Sequence, residues 1–291
     1  MTNEGEVSVA HHPRAYRENL YVYPVLSRRA RGISIGINLN PDKVCNFDCI
    51  YCQVDRTTPA AIRRVDETRL KDELLAILQE AKEGALYERP EFRTVPEVFR
   101  VVRDITFAGD GEPPSYPNFK GVVEDVLAIK KAAGFPGLKV ILLTNATLID
   151  RDRVKEAMRL LDEDHGEFWL KLDAGTEEYY RLVDRTSIPF SKVMANIREA
   201  ARLRPIVLQS LFMKVRGEGP SPAEIAAFCD RVREILSDGT VSLIQVYTVA
   251  RRPAEPYVAP LPDVDLDLIA AEVRRRVPSV PVETFYSDRM S

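Results

Sequence analysis

The sequence predicts an α/β fold built on parallel strands, and three observations carry that prediction. Short apolar runs followed by longer helix-periodic runs recur six times between residues 33 and 249. Polar and glycine residues gather directly after the strand-like runs, where ligands collect in parallel α/β folds. With 291 residues, 45% hydrophobic and 29% charged, the chain is long enough to bury a large single core. A strand that returns through a helix to the next strand imposes parallel pairing. This pattern fits an open doubly wound sheet and a full or partial barrel alike.

Residues 1–30 read as a polar, irregular N-terminal arm ending in Ser27-Arg28-Arg29-Ala30-Arg31. In GISIGINL, Ile33, Ile35, Ile37 and Leu39 alternate with Ser34, Gly36 and Asn38, the period of a strand. Residues 67–83 set Leu70, Leu74, Leu78 and Ala81 on one helical stripe. A strand follows at 103–109, then a helix over 118–133 with Val122, Val123, Val126 and Ile129 inward. KVILLT at 139–144 is a strand, and its helix carries Val154, Met158 and Leu161. FWLKLD at 168–173 is a strand whose helix lies near 190–203. IVLQSLFM at 206–213 is a strand; the next helix opens on Ser221-Pro-Ala-Glu224, a capping box with proline at the first helical position. LIQVYTV at 243–249 is the sixth strand, closing a core at residues 31–252. Residues 253–291 form a C-terminal extension packed on that core: a proline-rich run, a helix near 264–276 and the short apolar run VPVETF.

A net charge of −3 gives no global attraction to nucleic acid. No apolar run approaches the roughly 20 residues that span a bilayer, and the polar N-terminus lacks an apolar signal region. The expected setting is the cytoplasm, without membrane partners. Four cysteines in 291 residues make no disulfide framework; clustered in a reducing compartment, they point to metal or catalysis.

Three of the four, Cys45, Cys49 and Cys52, fall in VCNFDCIYCQ at spacing C-x3-C-x2-C. Three thiolates on a short loop can hold three irons of a 4Fe–4S cluster. Ferredoxin-type carriers add a fourth cysteine. Without one, an iron stays open to a substrate or cofactor, as open metal positions do in catalytic sites. The competing reading is a non-catalytic module binding zinc or an iron–sulfur cluster. Zinc takes four ligands, and His11, His12 and His165 are all distant in sequence. After the other strands come Gly109-Asp110-Gly111-Glu112-Pro113, Thr144-Asn145-Ala146-Thr147 and Asp173-Ala174-Gly175, while the fifth and sixth strands contain Gln209 and Gln245. Asp173 serves equally as a strand-end ligand or as a cap for the following segment. Asp48 and Asp55 read as turn and surface residues. Gly32-Ile-Ser34-Ile-Gly36 matches the hydrolase elbow G-x-S-x-G, but the alternation runs straight through Ser34, which belongs in a strand rather than at a turn tip. Arg28, Arg29 and Arg31, with Arg251 and Arg252, are positioned to grip a phosphate, an RNA backbone or a carboxylate if the fold brings them together.

C-x3-C-x-aromatic-C, with Tyr51 as the aromatic, resembles the signature of the radical S-adenosylmethionine (radical SAM) superfamily. GDGEP resembles that superfamily's Gly-Gly-Glu motif, with Asp110 where the second glycine stands. SRRARGISIGINLNPDKVCNFDCIYCQ and QVYTVARRPAE are similar to a subgroup of Fe–S oxidoreductases grouped with wyosine-type tRNA-modifying enzymes. The resemblance implies a partial (β/α)6 barrel. It implies Cys45, Cys49 and Cys52 as ligands of one catalytic 4Fe–4S cluster, with S-adenosylmethionine chelating the fourth iron. Reductive cleavage would yield a 5′-deoxyadenosyl radical that abstracts hydrogen from the substrate, the protein binding and orienting. Gly109, Asp110, Gly111 and Glu112 would meet the methionine amino group and Tyr51 the adenine. Asn145, Asp173 and Gln209, chosen mainly by strand-end position, are candidates for the ribose and carboxylate. An electron donor such as flavodoxin or ferredoxin is implied, and an RNA nucleoside is a possible substrate. Wyosine-forming enzymes are expected to use more cysteines for a second cluster. The one left, Cys229, shares a helix stripe with Ile225, Phe228 and Val232 and reads as a buried small hydrophobe.

Overall fold

The computed structural model describes residue 16 and residues 18–287; His11 and His12, expected to be exposed, lie outside the described residues. Its core is an eight-stranded, mostly parallel sheet curled into a half-barrel, with seven helices. The six expected strands are present: β2 (Gly32–Ile37), β3 (Val102–Phe107), β4 (Lys139–Thr144), β5 (Glu167–Lys171), β6 (Ile206–Leu211) and β8 (Val241–Tyr247), adjacent in that order and all parallel. The helices between them are α1 (Glu67–Glu83), α2 (Phe119–Ala132), α3 (Asp152–Asp162), α4 (Glu177–Asp184), α5 (Phe190–Leu203) and α6 (Pro222–Leu236).

Both ends of the sheet depart from expectation. Residues 22–27, read as irregular, form β1 (Val22–Ser27), which pairs antiparallel with β2. Pro24 cannot donate to a ladder, and β1 accordingly sits at the sheet edge. Glu73 of α1 fastens the approach to this strand: its buried carboxylate accepts from the backbone N–H groups of Leu20, Tyr21 and Val22 at 2.8–3.1 Å. At the other edge, α7 (Asp263–Arg276) leads into β10 (Val282–Phe285), which pairs parallel with β8. The C-terminal segment thus extends the sheet as well as packing on it. Two short strands, β7 (Met213–Val215) and β9 (Val258–Pro260), pair separately. Among the described residues, no helix is long and apolar enough to cross a membrane.

Alternation along each strand builds two unlike faces. Ile35, Phe107, Leu142, Leu170, Leu208 and Val246 join the main apolar core with the helices. The alternate positions, among them Ser34, Thr106, Lys171, Gln209 and Tyr247, line a cavity. A Cβ on Gly36 would overlap the ring of Tyr23, which lies across it to donate from its hydroxyl to the Ala108 carbonyl at 2.9 Å. Ser34 lies within β2, its hydroxyl donating to Asp104, and not at the turn tip that a hydrolase elbow requires. At α6, the Ser221 hydroxyl accepts from the Glu224 N–H at 3.1 Å. Glu224 does not complete the expected capping box; its carboxylate turns to the N–H and hydroxyl of Thr176 instead.

Candidate functional site

The segment leaving β2 carries the three cysteines and is fastened from three sides. From the end of α4, the carbonyl of Val183 accepts from the Ile50 N–H at 2.9 Å and that of Asp184 from the Asp48 N–H at 3.2 Å. Arg185 donates to the Asp48 carbonyl at 2.7 Å and pairs with Asp48 at 3.0 Å and Glu255 at 2.5 Å. From the proline-rich run after β8, the Ala254 N–H donates to the Cys52 carbonyl at 2.7 Å. From the loop after β3, Gly109 and Gly111 pack so closely that a Cβ on the first would overlap Asn38 and on the second the Val44 carbonyl. These glycines are required by chain-on-chain packing. Asp48 and Asp55 prove to be loop residues: Asp48 is exposed, and Asp55 accepts from the Thr57 N–H at 2.9 Å.

Cys45, Cys49 and Cys52 line one cavity of about 330 Å³, shared with Tyr51, Gly109, Gly111, Glu112, Asn145 and Gln209. Six of the eight non-cysteine candidates therefore converge with the cysteines. Asp110 and Asp173 stand behind the wall. Asp110 is bracketed to Asn38, accepting from Nδ2 at 2.6 Å and donating its N–H to Oδ1 at 3.1 Å. Asp173 accepts from the Leu211 N–H at 2.7 Å and from the Tyr51 hydroxyl, and pairs with Lys171 at 3.0 Å. It caps no helix; Thr176 does that for α4. The Asn145 side chain ties its strand end to the cysteine loop, donating to Asn46 Oδ1 at 2.8 Å. Gln209 donates to Gln245 at 2.9 Å.

Burial sets the protonation states. Glu112 is pushed up to about 7 by burial, against the opposing donors Asn145 N–H and the Thr144 hydroxyl. Burial raises the Cys45 and Cys49 thiols, Cys49 far above its ordinary value. Asp184, whose Oδ1 accepts from Cys49 Sγ at 3.4 Å and the Tyr51 hydroxyl at 3.2 Å, is pushed up to about 8 by burial and by Asp173. Near neutral pH it therefore adds no full negative charge beside the Cys49 sulfur.

The Glu112 shift has a signed consequence. Between its ordinary value of 4.5 and about 7, the unfolded chain has lost the proton while the folded chain keeps it. Stability from this group then falls as pH rises through that window. Glu112→Gln should remove up to about 3 kcal/mol of that slope, read as the difference between wild-type and variant urea unfolding curves from pH 5 to 8. Parallel pH profiles would refute the assignment.

Among the described residues, no three His, Cys, Asp or Glu side chains close on a single-ion position. The three cysteines border one cavity. The sequence profile described as the radical SAM superfamily matches residues 39–229. The chain belongs to the radical SAM superfamily. Membership implies S-adenosylmethionine and an iron–sulfur cluster as cofactors. A UPF0026 protein of Helicobacter pylori is 26% identical over 223 residues, covering 75% of this chain and 64% of the relative, so the chain spans less than two thirds of that protein. In fold it is similar to a radical SAM methyltransferase from Sphaerobacter thermophilus, with a TM-score of 0.67 at 14% identity, covering 92% of this chain and 70% of the other. It is also similar to TYW1 with a lysine-pyruvate adduct bound, with a TM-score of 0.55 at 13% identity, covering 90% and 78%.

The cavity includes residues that sequence reasoning passed over. Lys171 lies 4.9 Å from the Tyr51 ring centroid and donates to the Tyr247 hydroxyl at 2.5 Å. Trp169 and Lys171 are alternate positions of one strand run, so the period of two, extended beyond its apolar members, would have found them. Asp104 and Thr106 follow the same rule on β3. Asp184, Arg185 and Thr186 had no such signal, because their role depends on a loop 135 residues away folding onto them. Arg28, Arg29 and Arg251 do line the cavity, whereas Arg31 and Arg252 are exposed.

Proposed function

We propose that this radical SAM enzyme holds one 4Fe–4S cluster on Cys45, Cys49 and Cys52, and S-adenosylmethionine beside it in the same cavity. The observation that carries the reading is the placement of these three thiols together on one cavity while Cys229, the remaining cysteine, is 0% exposed in the α6 core. Burial pushes the Cys229 thiol up to about 11, the behaviour of a packing residue. When bound, the cluster and S-adenosylmethionine supply a 5′-deoxyadenosyl radical by one-electron cleavage of the sulfonium C–S bond, a flavodoxin or ferredoxin providing the electron.

The chain's own contribution is binding and orientation. Gly109, Gly111 and Glu112 present backbone and carboxyl acceptors for the methionine amino group. Tyr51, its hydroxyl anchored on Asp173, offers its ring to the adenine. Asn145 and Gln209 supply amides for ribose and carboxylate. Asp110 and Asp173 act at one remove, through Asn38 and Tyr51. The missing second cysteine cluster weighs against the full wyosine-type reaction on an RNA nucleoside.

Anaerobically reconstituted protein should be brown, bind about four irons per chain, and show a reduced-cluster EPR signal that changes on adding S-adenosylmethionine. With dithionite it should release 5′-deoxyadenosine. Colourless protein holding one zinc would sink the reading in favour of a structural metal module.

A further inference from the structure

Among the polar groups on the cavity wall to which no cofactor contact is assigned, two carry a buried atom that faces no hydrogen-bond partner and supply opposite charges. The first is Arg29. The β1–β2 turn lies at the amino end of β2, the opposite end of that strand from the cysteine loop. From it Arg29 crosses the cavity, its guanidinium carbon 4.9 Å from the ring centroid of Tyr247 on β8 and 5.9 Å from that of Trp169 on β5. Its Nη1 is buried without a hydrogen-bond partner. Neighbouring Lys171 is satisfied by Asp173 and Tyr247. A guanidinium stacked on aromatic faces keeps its N–H edge available for a carboxylate or phosphate.

The second is Asp104 on β3, 1% exposed and lining the same cavity. Its Oδ1 accepts from the hydroxyls of Ser34 and Thr106, which commits both protons. Its Oδ2 is buried with no partner. A buried carboxylate oxygen left unfilled is costly to the fold, and a ligand N–H or O–H removes that cost.

We propose that the substrate is a small bipolar molecule, its carboxylate or phosphate held by Arg29 and its ammonium, amide or hydroxyl donor held by Asp104 Oδ2. This names the substrate class of the site whose cysteine end was assigned above, and it rests on that assignment. The two groups reach one cavity from the β1–β2 turn and from β3, so they select for separation as well as charge. A ligand with only one pole leaves either the guanidinium or the carboxylate unpaired.

Trp169 is the chain's single tryptophan and lies under Arg29, so its fluorescence reports directly on the site. The test titrates the full chain, unreduced and with S-adenosylmethionine present, with ω-aminocarboxylates from glycine to 6-aminohexanoate and with the matching ω-aminoalkylphosphonates. The two series distinguish carboxylate from phosphate. Acetate, its longer homologues and simple alkylamines supply one pole at a time. One chain length should perturb Trp169 saturably and bind at least about tenfold tighter than either single-pole probe. Arg29→Gln should weaken that probe by about 10- to 100-fold. Asp104→Asn should erase the preference for the amine-bearing probe over the plain carboxylate. Arg29→Met, which keeps the stem over both rings, replaces the glutamine variant if that one does not fold. No response from any probe, equal binding of single-pole probes, or wild-type affinity in the Arg29 variant each overturns the proposal. The titration needs no reductant and no turnover. A chain that cleaves S-adenosylmethionine while Trp169 ignores every probe loses this inference alone. A chain that binds the probes but forms no 5′-deoxyadenosine loses the radical reading and keeps the bipolar site.

Discussion

Cys49→Ala is expected to yield a colourless protein that makes no detectable 5′-deoxyadenosine, a loss of more than roughly a thousandfold, or about 4 kcal/mol in transition-state terms. The loop offers no substitute ligand. Asn46 is occupied with Asn145 and Thr147, and Asp48 with Arg185. Cys49 is also the thiol packed deepest, against Asp184, Tyr51 and the backbone of α4's last turn. Loading should release protons, because burial keeps the Cys45 and Cys49 thiols protonated until metal draws the protons off. Iron incorporation by wild-type protein should therefore quicken as pH rises. Cys229→Ala provides the contrast: a small buried truncation with full iron content. The outcome that would sink the assignment is Cys49→Ala retaining the iron and the cofactor cleavage of wild type. Iron analysis and chromatography of the quenched reaction decide it.

The six parallel strands and the cysteine loop were legible because they depend on local pattern. Period-two alternation marks β2, short apolar runs mark β3, β4, β5, β6 and β8, and the C-x3-C-x2-C spacing lies within eight residues. β1 was hidden by Pro24, which breaks an otherwise strand-like LYVYPVLS run; proline marked an edge strand here, not a loop. α4 was missed because it has only eight residues, though Thr176 followed by Glu177 and Glu178 is a capped, acidic helix start. The subgroup-like RRPAE run was noticed by resemblance only. Its physical role, with Ala254 and Glu255 clamping the cysteine loop and Arg185, required the fold. Asp110 and Asp173 illustrate the limit of strand-end reasoning. Position at a carboxyl end brings a residue to the site, but which way its side chain turns is decided by partners such as Asn38 and Tyr51 that lie 72 and 122 residues away.

The second large effect is expected at Lys171. Burial pulls its pKa down, yet Asp173 and Tyr247 outweigh burial and hold it above the usual lysine range, so it is a cation inside the wall. Lys171→Met leaves Asp173, 3% exposed, with the Tyr51 hydroxyl and the Leu211 N–H as its donors. Breaking one side of a buried pair costs about 3–5 kcal/mol, because the partner's charge stays buried. The same change removes the charge that holds Asp184 down, so Asp184 should rise further. The single variant should unfold at lower urea and load iron poorly, since Asp173, the anchor of Tyr51 beside Cys49, loses its counter-charge. Adding Asp173→Asn removes the stranded charge, and the double variant should regain about 2 kcal/mol or more over Lys171→Met alone. That recovery separates an ion-pair effect from a packing effect. If Lys171→Met lies within about 1 kcal/mol of wild type, the pair is solvated in solution and the wall behind the cysteines is not the rigid support described.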